Sequence, residues 1–126
     1  MFLCGCTPAV YIELYNATGQ AITVATDSFP KPIALAPNAS GQLPFIFAQG
    51  QHLERLFVRT STSSWYYRFL SFHVPPSFWQ HGTLGTMRVY TKIDASRRVY
   101  LLAPPKGSGA PEQTQQPPGF PVKPFG

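Results

Sequence analysis

The side chains that most often perform enzyme chemistry are few and widely spaced in this chain. Of its 126 residues, five are acidic. No two of these acids lie close enough in sequence to suggest a general acid and a general base acting on one substrate bond. The motifs of serine hydrolases, zinc proteases and phosphate-binding loops are also missing from the sequence. We therefore predict that the protein is not an enzyme and binds no cofactor. The acids are Glu13, Asp27, Glu54, Asp94 and Glu112.

Two histidines, His73 and His81, flank an aromatic loop at residues 74–80. Imidazole is a common metal ligand, but no third ligand stands near this pair in sequence. We therefore interpret both as polar caps of the loop and predict no metal site. The loop also carries Phe78 and Trp79, and a loop seldom buries two large rings. They either fold back onto the core as a plug or contact a protein partner.

Cys4 and Cys6 are the only cysteines of the chain. Two thiolates do not complete a tetrahedral zinc site, and the nearest imidazole in sequence is that of His52. With no further cysteine, the rest of the chain has no disulfide framework and must be held together by its core. An incidental thiol pair, a soft-metal site and a processing signal are the three interpretations of this pair.

The segment Leu3-Cys4-Gly5-Cys6 looks like the lipobox of bacterial lipoproteins, in which an aliphatic residue, a small residue and Gly precede an acylated Cys. Cys4 departs from the pattern, because Ala or Ser is commoner there. The basic and apolar segments of a secretory signal would have to lie upstream of Met1, so we expect an earlier translation start. The resemblance implies that Cys6 carries the lipid. Because Thr7 is not the Asp of inner-membrane lipoproteins, it also implies an outer-membrane anchor facing the periplasm.

A cationic and aromatic surface is predicted on the last hairpin, which joins strands at residues 86–93 and 97–102. Alternation places five of its side chains on one outer face. We call this the hairpin face, and it consists of Arg88, Tyr90, Lys92, Arg98 and Tyr100. Such a face suits three roles: ordinary solvent-exposed pairs, stacking and charge contacts with single-stranded nucleic acid or an acidic glycan, and contact with anionic lipid head groups. The net charge of +5 is compatible with all three.

The elements that position these residues follow a period of two. Val10, Ile12 and Leu14 alternate with polar or aromatic residues, and turn signals recur about every 8–14 residues. We predict an antiparallel β-sandwich or small barrel of about seven or eight strands. Predicted hairpins cover residues 9–26, 33–47, 53–74 and 86–102. Trp65 and Tyr67 are predicted to face the core.

Prolines divide the chain. Pro30, Pro32 and Pro37 bracket one short strand, which marks it as a sheet edge because proline donates no ladder hydrogen bond. Pro44 interrupts the next strand and indicates a bulge or a second edge position. Residues 104–126 are rich in proline and glycine and lack apolar periodicity, so we expect a disordered tail. The predicted organisation is a lipobox segment at 1–6, a β domain at 7–103 and a tail at 104–126.

The sequence favours a non-enzymatic, lipid-anchored envelope lipoprotein that serves as a structural or protein-interaction module. It would contact the membrane through its anchor and bind a protein partner. The alternative is a soluble cytoplasmic domain that binds single-stranded nucleic acid or another polyanion through the hairpin face.

Overall fold

The computed structural model describes residues 10–27, 29–44, 54–69, 74–82 and 85–125. Within these ranges the chain forms β-strands, with a 3₁₀ turn at Pro76–Phe78. The predicted all-β sandwich is confirmed, because two sheets enclose one apolar core. The strands are β1 (Val10–Ala17), β2 (Ile22–Thr26), β3 (Ile33–Leu35), β4 (Ser40–Pro44), β5 (Glu54–Arg59), β6 (Ser64–Phe69), β7 (Trp79–His81), β8 (Met87–Asp94), β9 (Val99–Ala103) and β10 (Glu112–Gln113).

The first sheet has the strand order β10-β9-β8-β1-β4. β7 and β9 both pair with β8 on the side away from β1: β7 pairs with the first residues of β8, and β9 pairs with the later ones. The second sheet has the order β3-β2-β5-β6. Pairing is antiparallel except between β1 and β8, which run parallel. Alternate residues of both sheets fill the core, including the fully buried Ile12, Leu14, Leu56, Tyr67 and Ile93.

Two of the predicted hairpins are confirmed and two are wrong. β5 pairs with β6, and β8 pairs with β9. In contrast, β1 and β2 lie in different sheets, as do β3 and β4. The period of two identifies the buried face of a strand, and that face is the same whether the next strand stays in its sheet or crosses to the other one.

The proline-based edge assignments hold, because β3 and β4 are the outermost strands of their sheets. At the opposite end of the first sheet, the tail occupies the edge of β9. The expectation that residues 104–126 are disordered is therefore wrong for the part of the tail that the structure describes. Glu112 and Gln113 pair with β9, and the backbones of Val122 and Val99 exchange two hydrogen bonds of 2.8 and 2.9 Å.

Gln116 supplies the remaining contact with this edge. Its side-chain amide accepts a hydrogen bond from the Leu101 N–H and donates one to the Leu101 carbonyl, both at 2.9 Å. The physical reason for the ordered tail is the edge itself. An edge strand has backbone N–H and C=O groups that need hydrogen-bond partners. A proline-rich segment can supply such partners from a few of its residues without forming a regular strand.

Asn16, whose side chain is fully buried, stabilises the two connections that pass from one sheet to the other, β1–β2 and β3–β4. Its amide nitrogen donates to the carbonyls of Gln20, Leu35 and Ala36 at 2.8–3.1 Å, and its side-chain oxygen accepts from Thr18. Asn16 thus joins the β1–β2 connection to the β3–β4 connection. Its own backbone bonds with Asn38 and Ala39 strengthen the same junction.

We expect Asn16→Ala to lower the free energy of unfolding by about 3 kcal/mol, because several buried polar groups lose their partner at once. Chemical denaturation followed by circular dichroism measures this loss. Gln20→Ala is the control, since the exposed Gln20 enters the junction only through its backbone, and it should change the stability by less than about 0.5 kcal/mol. Equal effects of the two substitutions would contradict the role given to Asn16.

Candidate functional site

The hairpin face forms in part as predicted. Lys92 and Tyr100 lie directly opposite each other on β8 and β9, and the Lys92 Nζ stands 5.4 Å from the centre of the Tyr100 ring. Both side chains are half-buried on the outer side of the first sheet, whereas their neighbours Ile93 and Leu101 face the core. This pair is the cation–ring contact that the alternation predicts.

Tyr90 is not an exposed ring. Only 6% of its surface is accessible, and its hydroxyl donates a hydrogen bond to the Gln80 side chain of β7. Arg88 lies beside it, donates weakly to the Tyr90 oxygen at 3.4 Å, and has its pKa raised mainly by that contact. The prediction that Tyr90 presents a stacking surface is therefore wrong. The hydroxyl hydrogen bond joins Tyr90 to β7, and this partner is not evident from the β8 sequence.

The parallel pairing of β1 with β8 adds further groups to this side of the sheet. Glu13 lies opposite Tyr90, and Tyr15 lies opposite Lys92. The hairpin face consequently borders a carboxylate and is not purely basic. A groove of about 330 Å³ runs here between the sheet and the tail. Its walls include Glu13, Tyr15, Lys92, Leu102, Pro111 and Gln113.

Arg98 lies in the β8–β9 turn, where it is exposed. The Asp94 carboxylate accepts the backbone N–H groups of Ser96 and Arg98 and so shapes the turn. Arg97 takes the left-handed conformation with φ 64°. The turn therefore fixes the Arg98 backbone and leaves its side chain exposed to solvent.

The second sheet fastens this turn through a buried chain of hydrogen bonds. The Trp65 Nε1 donates to the Tyr67 hydroxyl at 2.7 Å, and that hydroxyl donates to the Arg97 carbonyl at 2.9 Å. The Arg97 guanidinium lies 3.9 Å from the centre of the Trp65 ring. The predicted inward orientation of Trp65 and Tyr67 is confirmed. Burial raises the pKa of the Tyr67 hydroxyl to about 12.

This raised pKa predicts alkaline destabilisation. The folded Tyr67 holds its proton at pH values where an unfolded tyrosine, with an ordinary pKa of 10, has lost it. The resulting stabilisation is complete below pH 10 and is lost as the pH rises toward 12, amounting to roughly 2–3 kcal/mol. Denaturation midpoints measured across this range should fall steeply for the native chain and less steeply for Tyr67→Phe. Tyr100→Phe, as the control, should retain the steep fall.

Phe78 and Trp79 belong to the core rather than to a partner-contact loop. Phe78 is 8% exposed within the core, and Trp79 packs against the core from its border. The Trp79 Nε1 donates to the Val74 carbonyl at 3.3 Å. The 3₁₀ turn explains the difference, because it folds both rings back onto the sandwich. Of the two interpretations of this loop, the structure supports the core plug.

A second cationic and aromatic surface, which the sequence analysis missed, covers the outer side of the second sheet. Phe57 and Tyr66 lie opposite each other on β5 and β6, with ring centres 5.9 Å apart. Phe125 of the tail extends this row, since its ring centre lies 5.6 Å from that of Tyr66 and its N–H donates to the Tyr66 carbonyl at 2.8 Å. Phe57, Tyr66 and Phe125 thus form a row of neighbouring rings that runs from β5 over β6 to the tail.

Arginines flank the row on both sides. Arg55 and Arg68 are paired across β5 and β6 on one side, and Arg59 lies on the other. Arg55 forms an ion pair of 2.8 Å with Asp27, which raises the pKa of Arg55 further above its usual value. Among the described carboxylates, none contacts Arg59 or Arg68. We call this surface the arginine–ring face, and it consists of Arg55, Phe57, Arg59, Tyr66, Arg68 and Phe125.

A groove of about 530 Å³ lies along the arginine–ring face. Its walls include Phe57 and Tyr66 together with Pro30 and Pro32 of the β2–β3 connection. Arg59 and Ser64 also reach the groove and offer it a guanidinium and a hydroxyl. The sequence of β5 could have predicted part of this face, because Arg55, Phe57 and Arg59 alternate with the buried Leu56 and Val58. The contact of Phe125 with β6 could not be predicted from the local sequence.

Several predicted residues lie outside the described part of the chain, namely Cys4, Cys6, His52 and His73. Within the described ranges, no group of three or more His, Cys, Asp or Glu side chains is arranged to hold a metal ion. In the same ranges, no helix has the length and apolar character needed to cross a membrane. The chain matches no protein-family model, no curated protein and no solved structure.

Proposed function

We propose that this protein is a non-enzymatic binding module that a lipid on Cys6 anchors to the periplasmic side of the bacterial outer membrane. The observation that carries the binding role is the placement of cation–ring contacts on the outer sides of both sheets, at Lys92–Tyr100 and at Arg68–Phe125. Guanidinium and ammonium groups held beside rings recognise anionic surfaces and protein partners.

The anchor is supported by the lipobox-like segment at residues 3–6, which precedes β1 by only a few residues. Acylation of Cys6 would hold the sandwich close to the bilayer. Several acyl chains on one residue provide stable attachment, which a single chain does not.

Acylation can be tested on the protein purified from its native cells. We expect its intact mass to exceed that of the polypeptide beginning at Cys6 by the mass of the acyl chains, and we expect it to sediment with the outer-membrane fraction. Cys6→Ser should abolish both the added mass and the sedimentation, whereas Cys4→Ser should retain them. A native protein of unmodified mass would refute the anchor.

The alternative function is that of a soluble module that binds single-stranded nucleic acid or another polyanion through the hairpin face. The pair formed by Lys92 and Tyr100 favours it, because a cation beside an accessible ring suits a phosphate and its base. Tyr90 is excluded from this contact by its burial.

For this alternative, we expect Tyr100→Ala to weaken binding to a labelled oligodeoxythymidine by roughly 1–3 kcal/mol, because one stacking surface is lost. Fluorescence anisotropy measured at increasing salt provides the affinity and its ionic component. Tyr15→Ala serves as the control, since Tyr15 lies on the same side of the sheet but on β1. Binding that is absent, or that ignores Tyr100, would remove this alternative.

A further inference from the structure

We propose that the arginine–ring face rests on a bilayer that contains anionic phospholipid. Its guanidinium groups would bind head-group phosphates, and Phe125 would enter the interfacial layer. This inference rests on the proposed lipid anchor, which keeps the sandwich beside a membrane, and it specifies which side of the sandwich faces that membrane.

Charge is the first support. The face has three arginines, and the carboxylate that it contacts, Asp27, is already bonded to Arg55 through both of its oxygens. Arg59 and Arg68 are exposed and contact no described carboxylate. Their guanidinium groups therefore keep donors for phosphate oxygens, which they can bind in pairs.

Exposed apolar surface is the second support. Phe125 has 59% of its surface accessible, and it is the exposed large hydrophobic side chain in the described part of the chain. It lies beside Tyr66 and beneath Arg68, whose guanidinium carbon is 3.7 Å from the ring centre. Aromatic rings next to cationic side chains are the combination found where proteins meet the head-group layer.

Ring geometry favours a bilayer over single-stranded nucleic acid. The guanidinium groups of Arg55 and Arg68 already lie over the rings of Phe57 and Phe125, at 5.0 and 3.7 Å. A base could stack on these two ring faces only by displacing the guanidinium group that lies over each of them. The edges of the guanidinium groups remain suited to phosphates, and the ring edges remain suited to the apolar boundary of the bilayer.

The adjoining groove adds polar groups at the same place. Arg59 and Ser64, opposite each other on β5 and β6, both line it. A guanidinium and a hydroxyl are hydrogen-bond donors to one phosphate group. The hairpin face, in contrast, borders the carboxylate of Glu13, which lies opposite Tyr90 on β1.

The test uses the full chain with Cys6→Ser, so that no acyl chain contributes to binding. Sedimentation with vesicles of phosphatidylcholine, with and without phosphatidylglycerol, gives the partition coefficient. We expect binding only to the vesicles that contain phosphatidylglycerol, and we expect added salt to weaken it. Arg59→Ala and Arg68→Ala should each lower the partition coefficient roughly fivefold. Phe125→Ala should lower it several-fold and leave its dependence on salt unchanged, because the variant keeps every arginine of the face.

Arg98→Ala is the matched control, because it removes the same charge from an exposed arginine in the β8–β9 turn. It should lower the partition coefficient less than about twofold, because salt screens the attraction between Arg98, which is not part of the arginine–ring face, and the lipid phosphates. Thermal unfolding of each variant checks that the fold is intact, and Arg68→Lys should retain most of the binding.

Three results would overturn the proposal: no binding to phosphatidylglycerol, equal losses from Arg98→Ala and Arg59→Ala, or oligodeoxythymidine binding with the same sensitivity to Arg59 and Phe125. The proposed anchor can fail separately. An unmodified mass of the native protein, together with intact vesicle binding, would refute acylation and leave the membrane-facing surface standing.

Discussion

The free edge of β9 is the constraint on which the arrangement of both outer faces depends. Its backbone groups are satisfied by the tail at three places: a short strand, the Gln116 side chain and Val122. The tail then continues to the other sheet, where Phe125 bonds to Tyr66. One segment therefore closes an edge of the first sheet and completes a row of rings on the second. Without this pairing, the arginine–ring face would lose its most exposed ring.

The two outer faces differ because different neighbours reach them. On the first sheet, β1 brings Glu13 beside the hairpin and β7 brings Gln80 to the Tyr90 hydroxyl, so that the surface predicted to be open and basic is mixed in charge and partly buried. On the second sheet, the Asp27 carboxylate is bonded to Arg55 through both of its oxygens. Arg59 and Arg68 consequently remain available. The sandwich thus has one side suited to varied polar contacts and one suited to anionic partners.

Sequence alone could identify the buried side of most strands, because alternation determines which residues face the core. It also placed β3 and β4 at sheet edges, since proline leaves a gap in the hydrogen-bond ladder. It could not identify sheet partners. Asn16 reads as an ordinary turn residue, although its buried amide is what joins the two crossings. Tyr90 matched the pattern of an outward residue, but it is buried and its hydroxyl is bonded to the distant Gln80. The tail has the composition of a disordered segment, but the groups that order it belong to β9.

Amide hydrogen exchange of the full chain tests the central claim, that the tail is an integral part of the sandwich, most directly. We expect the amides of Val99, Leu101 and Val122 to exchange as slowly as those of β8, because each is bonded across the β9 edge. We also expect measurable protection of the Phe125 amide. Exchange of Leu101 and Val122 at the rate of an unstructured peptide, with β8 still protected, would show that the tail is not part of the sandwich.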